Sequence, residues 1–182
     1  MKTFRFFAFA ILLLTIQSHA ESVGPFLSLQ AGHLRTSFTA PAGTSADEPN
    51  RSWAVGGGYR FNQYTGIEGG FRDFGTLNLS GSQIVTSKMS GWSYGAFAAY
   101  PLSNTFEALV RAGWIAGKIE STNTTYSLNK TTWRTEPYWG FGMAWHIDQR
   151  VSLGINWTRF NSSDIASAAD PVVTEIDVRY RF

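Results

Sequence analysis

The sequence predicts an all-β fold, an eight-stranded antiparallel up-and-down transmembrane β-barrel. Three observations predict it. The last nine residues, Thr174-Glu175-Ile176-Asp177-Val178-Arg179-Tyr180-Arg181-Phe182, alternate between apolar and charged. Side chains alternate faces along a strand, so Ile176, Val178, Tyr180 and Phe182 share one face and Glu175, Asp177, Arg179 and Arg181 the other. A strand that is oily on one side and charged on the other suits lipid outside and a polar lumen inside. Polar connections alternate between short and long along the chain. Most of the tryptophans keep a constant, even spacing from the short connections.

The chain opens with a segment that is not part of the barrel. Lys2 and Arg5 form a positive start, the apolar run 6–16 is too short to span a bilayer as a helix, and Ser18-His19-Ala20 places small residues where signal peptidase cuts. Residues 1–20 therefore read as a signal peptide and 21–182 as one barrel domain. Cleavage leaves 162 residues with 13 basic and 13 acidic side chains, plus His33 and His146. That balance leaves no basic field for nucleic acid. Cysteine is absent, so neither disulfides nor thiol chemistry enter. Seven Trp, seven Tyr, fourteen Phe and eighteen Gly suit aromatic belts at a membrane boundary and a crowded interior.

The elements follow in order. The first strand covers about 26–36, with Leu27, Leu29 and Ala31 outward and Ser28, Gln30 and Gly32 inward. The second covers 51–61, with Trp53, Val55, Tyr59 and Phe61 outward and Ser52, Gly56, Gly58 and Arg60 inward. The third covers 65–74, with Ile67 and Phe71 outward and Glu68 and Arg72 inward. The fourth covers 89–100, the fifth 106–118 with Glu107 and Arg111 inward, the sixth 133–147, the seventh 151–160, and the eighth is the C-terminal strand. Short turns at 62–64, 101–105 and 148–150 alternate with longer polar segments at 37–50, 75–88, 119–132 and 161–171, the pattern of periplasmic turns and outer loops.

An aromatic girdle is expected from Trp53, Trp92, Trp114, Trp139 and Trp157 on one side and Phe61, Tyr100, Phe106 and Trp145 on the other. Trp53, Trp92 and Trp139 lie eight residues before Phe61, Tyr100 and Ile147, and Trp114 eight after Phe106. Eight steps of ~3.3 Å on a strand tilted by ~40° span about 20 Å, near the ~25 Å apolar band of such barrels. Trp133 does not fit this spacing.

Several segments resemble a known family. Gly57-Gly58-Tyr59-Arg60-Phe61-Asn62-Gln63-Tyr64-Thr65-Gly66-Ile67-Glu68 is similar to the second hairpin of the OmpA-type transmembrane domain, and Phe71-Arg72-Asp73-Phe74-Gly75 continues it. Tyr100-Pro101-Leu102, Val151-Ser152-Leu153-Gly154-Ile155-Asn156-Trp157 and the Tyr180-Arg181-Phe182 ending are similar as well. The resemblance implies a bacterial outer-membrane location. It also implies that Ile176, Val178, Tyr180 and Phe182 form the signal read by the barrel-assembly machinery. The periplasmic peptidoglycan-binding domain of OmpA has no counterpart here. Of the family's interior ion-pair network, Glu68 and Arg111 match, whereas Phe97, Ala144 and Gly154 stand where charged members are expected.

By parity and height, Glu68, Arg72, Arg111, Glu175, Asp177 and Arg179 point into the lumen, three negative and three positive. Eight strands enclose a bore that side chains fill, so the reading is a plug of ion pairs rather than an ion path. Arg111 is expected to pair with Glu68 or Asp177. His33 faces outward near the end of the first strand, and a lone His is no triad. His146 faces inward beside a turn. The two are far apart in sequence and suggest no metal site. Gly56-Gly57-Gly58 lies inside a strand and has no helix after it, so it is no phosphate loop. Neither catalytic residues nor a cofactor are expected. In the outer segments Asp47, Glu48, Lys88, Glu120, Lys130, Asp164 and Asp170 carry the charge, and Ile84 and Tyr126 are apolar contact candidates. The expected role is non-enzymatic, envelope-structural or surface-interacting. The expected partners are outer-membrane lipid, lipopolysaccharide, the assembly machinery and an unidentified surface ligand, and not nucleic acid. A low-conductance pore is the alternative, and a lipid-modifying barrel enzyme the second.

Deleting Phe182 is expected to reduce insertion. Membrane fractionation and heat-modifiable gel mobility check this, and full insertion at wild-type yield contradicts it.

Overall fold

The structure is a computed structural model and describes residues 23–35, 50–79, 85–123, 128–161 and 171–182. The strands are β1 (Gly24–Arg35), β2 (Asn50–Arg60), β3 (Thr65–Leu79), β4 (Val85–Pro101), β5 (Phe106–Asn123), β6 (Leu128–His146), β7 (Val151–Phe160) and β8 (Val172–Arg181). Each pairs antiparallel with its sequence neighbour, and β8 pairs with β1, closing a barrel. Closure removes the edge strands that lipid could not hydrogen-bond.

Register fixes the dimensions. Stepping between partners from Gly24 leads through Arg60, Gly66, Phe97, Arg111, Gly140, Thr158 and Val173, then back to β1 at Leu34. The path returns ten residues further along β1 than it started, which is the shear of the barrel. With eight strands ~4.8 Å apart, that shear gives a tilt of about 40° and a backbone radius of about 8 Å. Side chains fill such a bore.

The short turns share one device. In each, a side-chain oxygen accepts from the amides two and three residues on, so the turn closes on itself. Asn62 Oδ1 accepts from Tyr64 (2.7 Å) and Thr65 (2.9 Å). Ser103 Oγ accepts from Thr105 (3.2 Å) and Phe106 (3.1 Å). Asp148 Oδ1 accepts from Arg150 (2.6 Å) and Val151 (2.7 Å). The Val151 and Arg150 amides hold the exposed Asp148 carboxylate below its usual range. Its contribution to the turn is therefore present above the unfolded carboxylate pKa and is lost as pH falls through the lowered value.

Two of the four expected outer loops are corrected. Most of 75–88 and 119–132 is strand: β3 and β4 pair to Leu79↔Val85, and β5 and β6 pair to Asn123↔Leu128. Lys88 and Glu120 thus stand on strands, opposite each other in the β4·β5 register, and Lys130 lies within β6. The cause is physical. An alternating pattern records a contrast of burial between two faces, and a polar sheet lacks that contrast while its backbone pairs just as well. Trp133 finds its place here, outward on the extension of β6 and 70% exposed. The barrel is therefore uneven, with β3–β6 running 15–19 residues and the other strands 10–12. Asp47, Glu48, Ile84, Tyr126, Asp164 and Asp170, like the signal segment 1–20, lie outside the described residues.

Glycine matters most at two places. A β-bulge shifts the β3·β4 register between Asp73 and Thr76. Gly75 sits there at φ 75°, its amide held by Asp73 Oδ1 at 2.6 Å. The bulge leaves Phe74 inward and Thr76 exposed. On the inner wall, Gly95 and Gly113 lie side by side beneath the Tyr138 ring, where an added Cβ at Gly95 would meet Tyr138 Oη at 2.7 Å.

Gly95→Val is accordingly expected to displace Tyr138 and lower stability by roughly 1–3 kcal/mol. The temperature at which the folded gel band is lost measures this.

Candidate functional site: a layered lumen

The inward side chains stack in layers between the short turns and the opposite rim. The layer nearest the turns is polar. Arg60 on β2 forks onto Glu107 on β5, with Nη2–Oε2 at 2.9 Å and Nη1–Oε1 at 3.4 Å. His146 Nε2 lies 3.4 Å from the same carboxylate, and Arg181 Nη2 meets His146 Nδ1. A guanidinium can only donate, so Nδ1 accepts and the ring hydrogen faces Glu107. Facing alone puts Arg60, Glu107 and His146 inward, yet none of them, nor Arg181, is in the ion-pair set expected from the sequence. Their nearness to the turns hid the pairing.

The next layer is apolar: Phe26, Phe97, Ala99, Leu109 and Ala144 are all nearly inaccessible. Phe26 and Phe97 meet edge to face at 5.9 Å. The Arg179 guanidinium lies 4.7 Å from the Phe26 centroid and 5.5 Å from that of Phe97, with Nη2 3.1 Å from Asp177 Oδ2. Phe97 and Ala144, where the resemblance implies charge, fill an apolar disc instead.

The middle layer holds most of the sequence-derived charges. Arg111 Nη1 lies 3.6 Å from Glu68 Oε1, and Nη2 lies 3.1 Å from Asn156 Oδ1 and 4.0 Å from Asp177 Oδ2. Its contact with Glu68 reaches across β4, where Gly95 faces Glu68 in register and leaves the space open. Arg72 pairs with Glu175 through Nη1 and donates through Nη2 to Gln30 Oε1 at 2.7 Å. Ser52 Oγ adds a 3.2 Å bond to Glu175. Arg72, Arg111, Glu175, Asp177 and Arg179 are all buried, and Glu68 nearly so. A cavity of about 30 Å³ lies among Gln30, Glu68, Arg72, Arg111 and Tyr138, room for roughly two waters.

A second apolar layer closes the far side, made of Leu34, Phe74, Ile115, Tyr138, Phe160 and Val173. Phe74 and Phe160 meet edge to face at 5.1 Å. Arg72 sits under both rings, 5.8 and 5.7 Å from their centroids. Among the described residues, no group of three or more His, Asp and Glu could hold a metal ion.

The outer wall is apolar and ringed. Trp53, Trp92, Trp114 and Trp139 face outward and are exposed, while Trp157 is half-buried between Trp139 (5.2 Å) and Phe141 (5.0 Å). Phe71 links Trp53 (5.9 Å) to Trp92 (5.6 Å). Nearer the turns, Phe61, Tyr100, Phe106 and Trp145 are exposed, and Phe106 stacks on Trp145 at 6.4 Å. Ile176, Val178, Tyr180 and Phe182 face outward on β8 and its end, with Tyr180 and Phe182 in edge contact at 5.2 Å. His33 is exposed between Arg51 and Thr174 in register, without a Ser or carboxylate facing it there.

Comparison with known proteins agrees with this architecture. No curated protein sequence matches the chain. Among solved structures, it is similar to the attachment invasion locus protein Ail of Yersinia pestis, solved with the heparin analogue sucrose octasulfate. The TM-score is 0.63 at 15% identity, covering 88% of this chain and 100% of that one. Neisserial surface protein A gives 0.65 at 13%, covering 87% and 97%. The N-terminal β-barrel domain of Pseudomonas aeruginosa OprF gives 0.60 at 10%, covering 88% and 100%. Identities this low speak to the fold alone. The sequence itself matches the family described as outer membrane protein beta-barrel domain over residues 6–182. The chain, a closed eight-stranded barrel with an apolar exterior, belongs to that family of outer-membrane proteins.

Proposed function

We propose that the chain is a non-enzymatic envelope protein, a structural or surface-interacting barrel whose lumen is sealed. The observation that carries this reading is the pair of apolar layers on either side of the central charges. An ion crossing the bore would have to shed water twice, and the cavity between the layers holds only about 30 Å³. The buried charges supply stability and register in this reading rather than a path. The alternative of a low-conductance pore draws on that same central cluster, because paired charges that part would leave a polar centre. The environment of His33 favours an interfacial role over lipid-modifying catalysis.

In this reading residues 1–20 are removed on export, the short turns face the periplasm, and the aromatic rings mark the membrane boundaries. Outer-membrane lipid, including lipopolysaccharide, and the assembly machinery are then the partners of the wall. An unidentified surface ligand would meet the outer segments.

Cysteines placed singly at Ser45 and Ser167 are expected to react with an impermeant thiol reagent on intact cells, whereas those at Gln63 and Ser103 stay protected. Labelling at the turns contradicts the orientation.

The seal is tested by conductance and stability together. Wild-type protein is expected to give no steady conductance in planar bilayers. Arg111→Ala takes the cation from Glu68 and leaves Asp177 with Arg179 alone, and is expected to cost roughly 3–5 kcal/mol. Glu68→Ala is expected to cost less, because Asp177 and Asn156 still hold Arg111, and the double variant should cost less than the two singles added. Steady wild-type conductance, or single variants that match wild type in stability, would sink the sealed-lumen reading.

A further inference from the structure

The outward-facing charges divide the barrel into two unlike sides. On the tall side, Lys88 and Lys118 share a carboxylate neighbour, Glu120: Lys118 pairs with it, and Lys88 stands opposite it in register. On the low side, β7 carries Arg159, β1 carries His33 and Arg35, and β2 carries Arg51 outward at their tops, all exposed, with the uncharged top of β8 between β7 and β1. These strands are adjacent in the closed sheet, so the residues form one patch. His33 faces Arg51 in register, and Arg35 and Arg159 both face Val172 from opposite sides. Arg35 and Arg51 make no ion pair with a described residue. The acidic residues of β8, Glu175 and Asp177, are buried inward, and β1, β2 and β7 contain none. Among the described residues, the outward carboxylate nearest the patch, Asp73 on β3, is engaged with the Gly75 amide.

Position gives the patch its meaning. Arg51 and Arg159 lie two residues beyond Trp53 and Trp157 on the same faces, about 5 Å further from the turns. Directly below runs an aliphatic wall of Leu29, Val55, Ile155, Ile176 and Val178, all outward and exposed. A row of guanidinium groups above an aromatic belt, with aliphatic surface beneath, is complementary to an anionic headgroup carried on acyl chains. Guanidinium favours phosphate because its planar fork matches two phosphate oxygens at once.

We infer that the tops of β7, β8, β1 and β2 form a binding site for a phosphorylated lipid of the outer leaflet. Arg35 and Arg51 hold the phosphates, with His33 and Arg159 beside them, while the aliphatic wall seats the chains. The inference rests on the outer-membrane placement of the barrel and is independent of whether the lumen is sealed. It assigns the lipid contact to one side of the barrel.

The test uses the full barrel folded in neutral detergent, with bisphosphoryl lipid A as the probe. Its unfolding midpoint is followed by heat-modifiable gel mobility as lipid is added, with the dephosphorylated lipid and inorganic pyrophosphate run in parallel. The phosphorylated lipid is expected to raise the midpoint, and the other two to do so much less. Arg35→Gln with Arg51→Gln should weaken the apparent affinity by roughly tenfold or more. Lys118→Gln, on the opposite side, should leave it unchanged. Wild-type affinity in the double variant, or an equal loss in Lys118→Gln, would overturn the site. An equal shift with dephosphorylated lipid would overturn phosphate recognition, and an equal shift with pyrophosphate would make the patch a plain anion site. Should the double variant not fold, each single Gln variant is measured instead, and no loss in either overturns the site. Because bilayer conductance is read separately, none of these outcomes is confused with failure of the sealed lumen.

Discussion

The pairing of β8 with β1 is the constraint on which the rest depends. A backbone in hydrocarbon has no water to satisfy its amides and carbonyls, so a sheet there must close or leave a costly edge. The seam runs from Phe26↔Arg181 to Arg35↔Val172 and fixes the shear, hence the tilt and the bore. It also positions the inward charges of the last strand, each of which then reaches a different part of the molecule. Glu175 meets Arg72 on β3, Asp177 approaches Arg111 on β5, Arg179 lies against Phe26 and Phe97, and Arg181 meets His146 on β6. A slip of one residue at this seam would turn all four toward lipid.

The bore that closure creates is too narrow for bulk water and too wide to be left empty. Desolvated charges are costly alone, and pairing recovers the cost only when partners and geometry are good. Arg111 draws its partners from three strands at once, Asn156 at 3.1 Å, Glu68 at 3.6 Å and Asp177 at 4.0 Å, while its Nε is buried without a partner among the described residues. Glycines opposite the long side chains provide the space, as Gly95 does below Tyr138 and between Glu68 and Arg111. The apolar layers are not separate from the charges, because Arg72 and Arg179 each stack on two rings and join one layer to the next.

Outside, the barrel has two sides. Between the aromatic rows the wall is apolar all round, as lipid requires. Beyond the upper row, β3–β6 run on as paired polar strands that carry charges of both signs, while the described tops of β7, β1 and β2 carry cations. Strand length and charge balance thus differ together, and they make one side of the exterior chemically distinct from the other.

What can be read along the chain is what alternation encodes. The even spacing of Trp53 from Phe61 and of Trp92 from Tyr100, and the charged inner face of 174–182, are enough to give strand number, facing and the all-β barrel. Period-2 burial is a local property, and lipid outside with a filled lumen inside imposes it residue by residue. Asn62, Ser103 and Asp148 likewise announce their turns, since each caps amides only two and three residues away. Arg111 aside, whose partners the sequence narrows to Glu68 or Asp177, which charges meet is set by the closed barrel. Facing says that Arg60 and Glu175 point inward, but their heights relative to Glu107 and Arg72 depend on a shear summed over eight pairings, which no single strand contains. The same holds for the two apolar layers, assembled from residues as distant as Phe26 and Ala144 or Leu34 and Val173. It holds also for the extensions of β3–β6, whose polar faces carry no burial contrast to read. There the partner strand, and not the pattern, makes the structure.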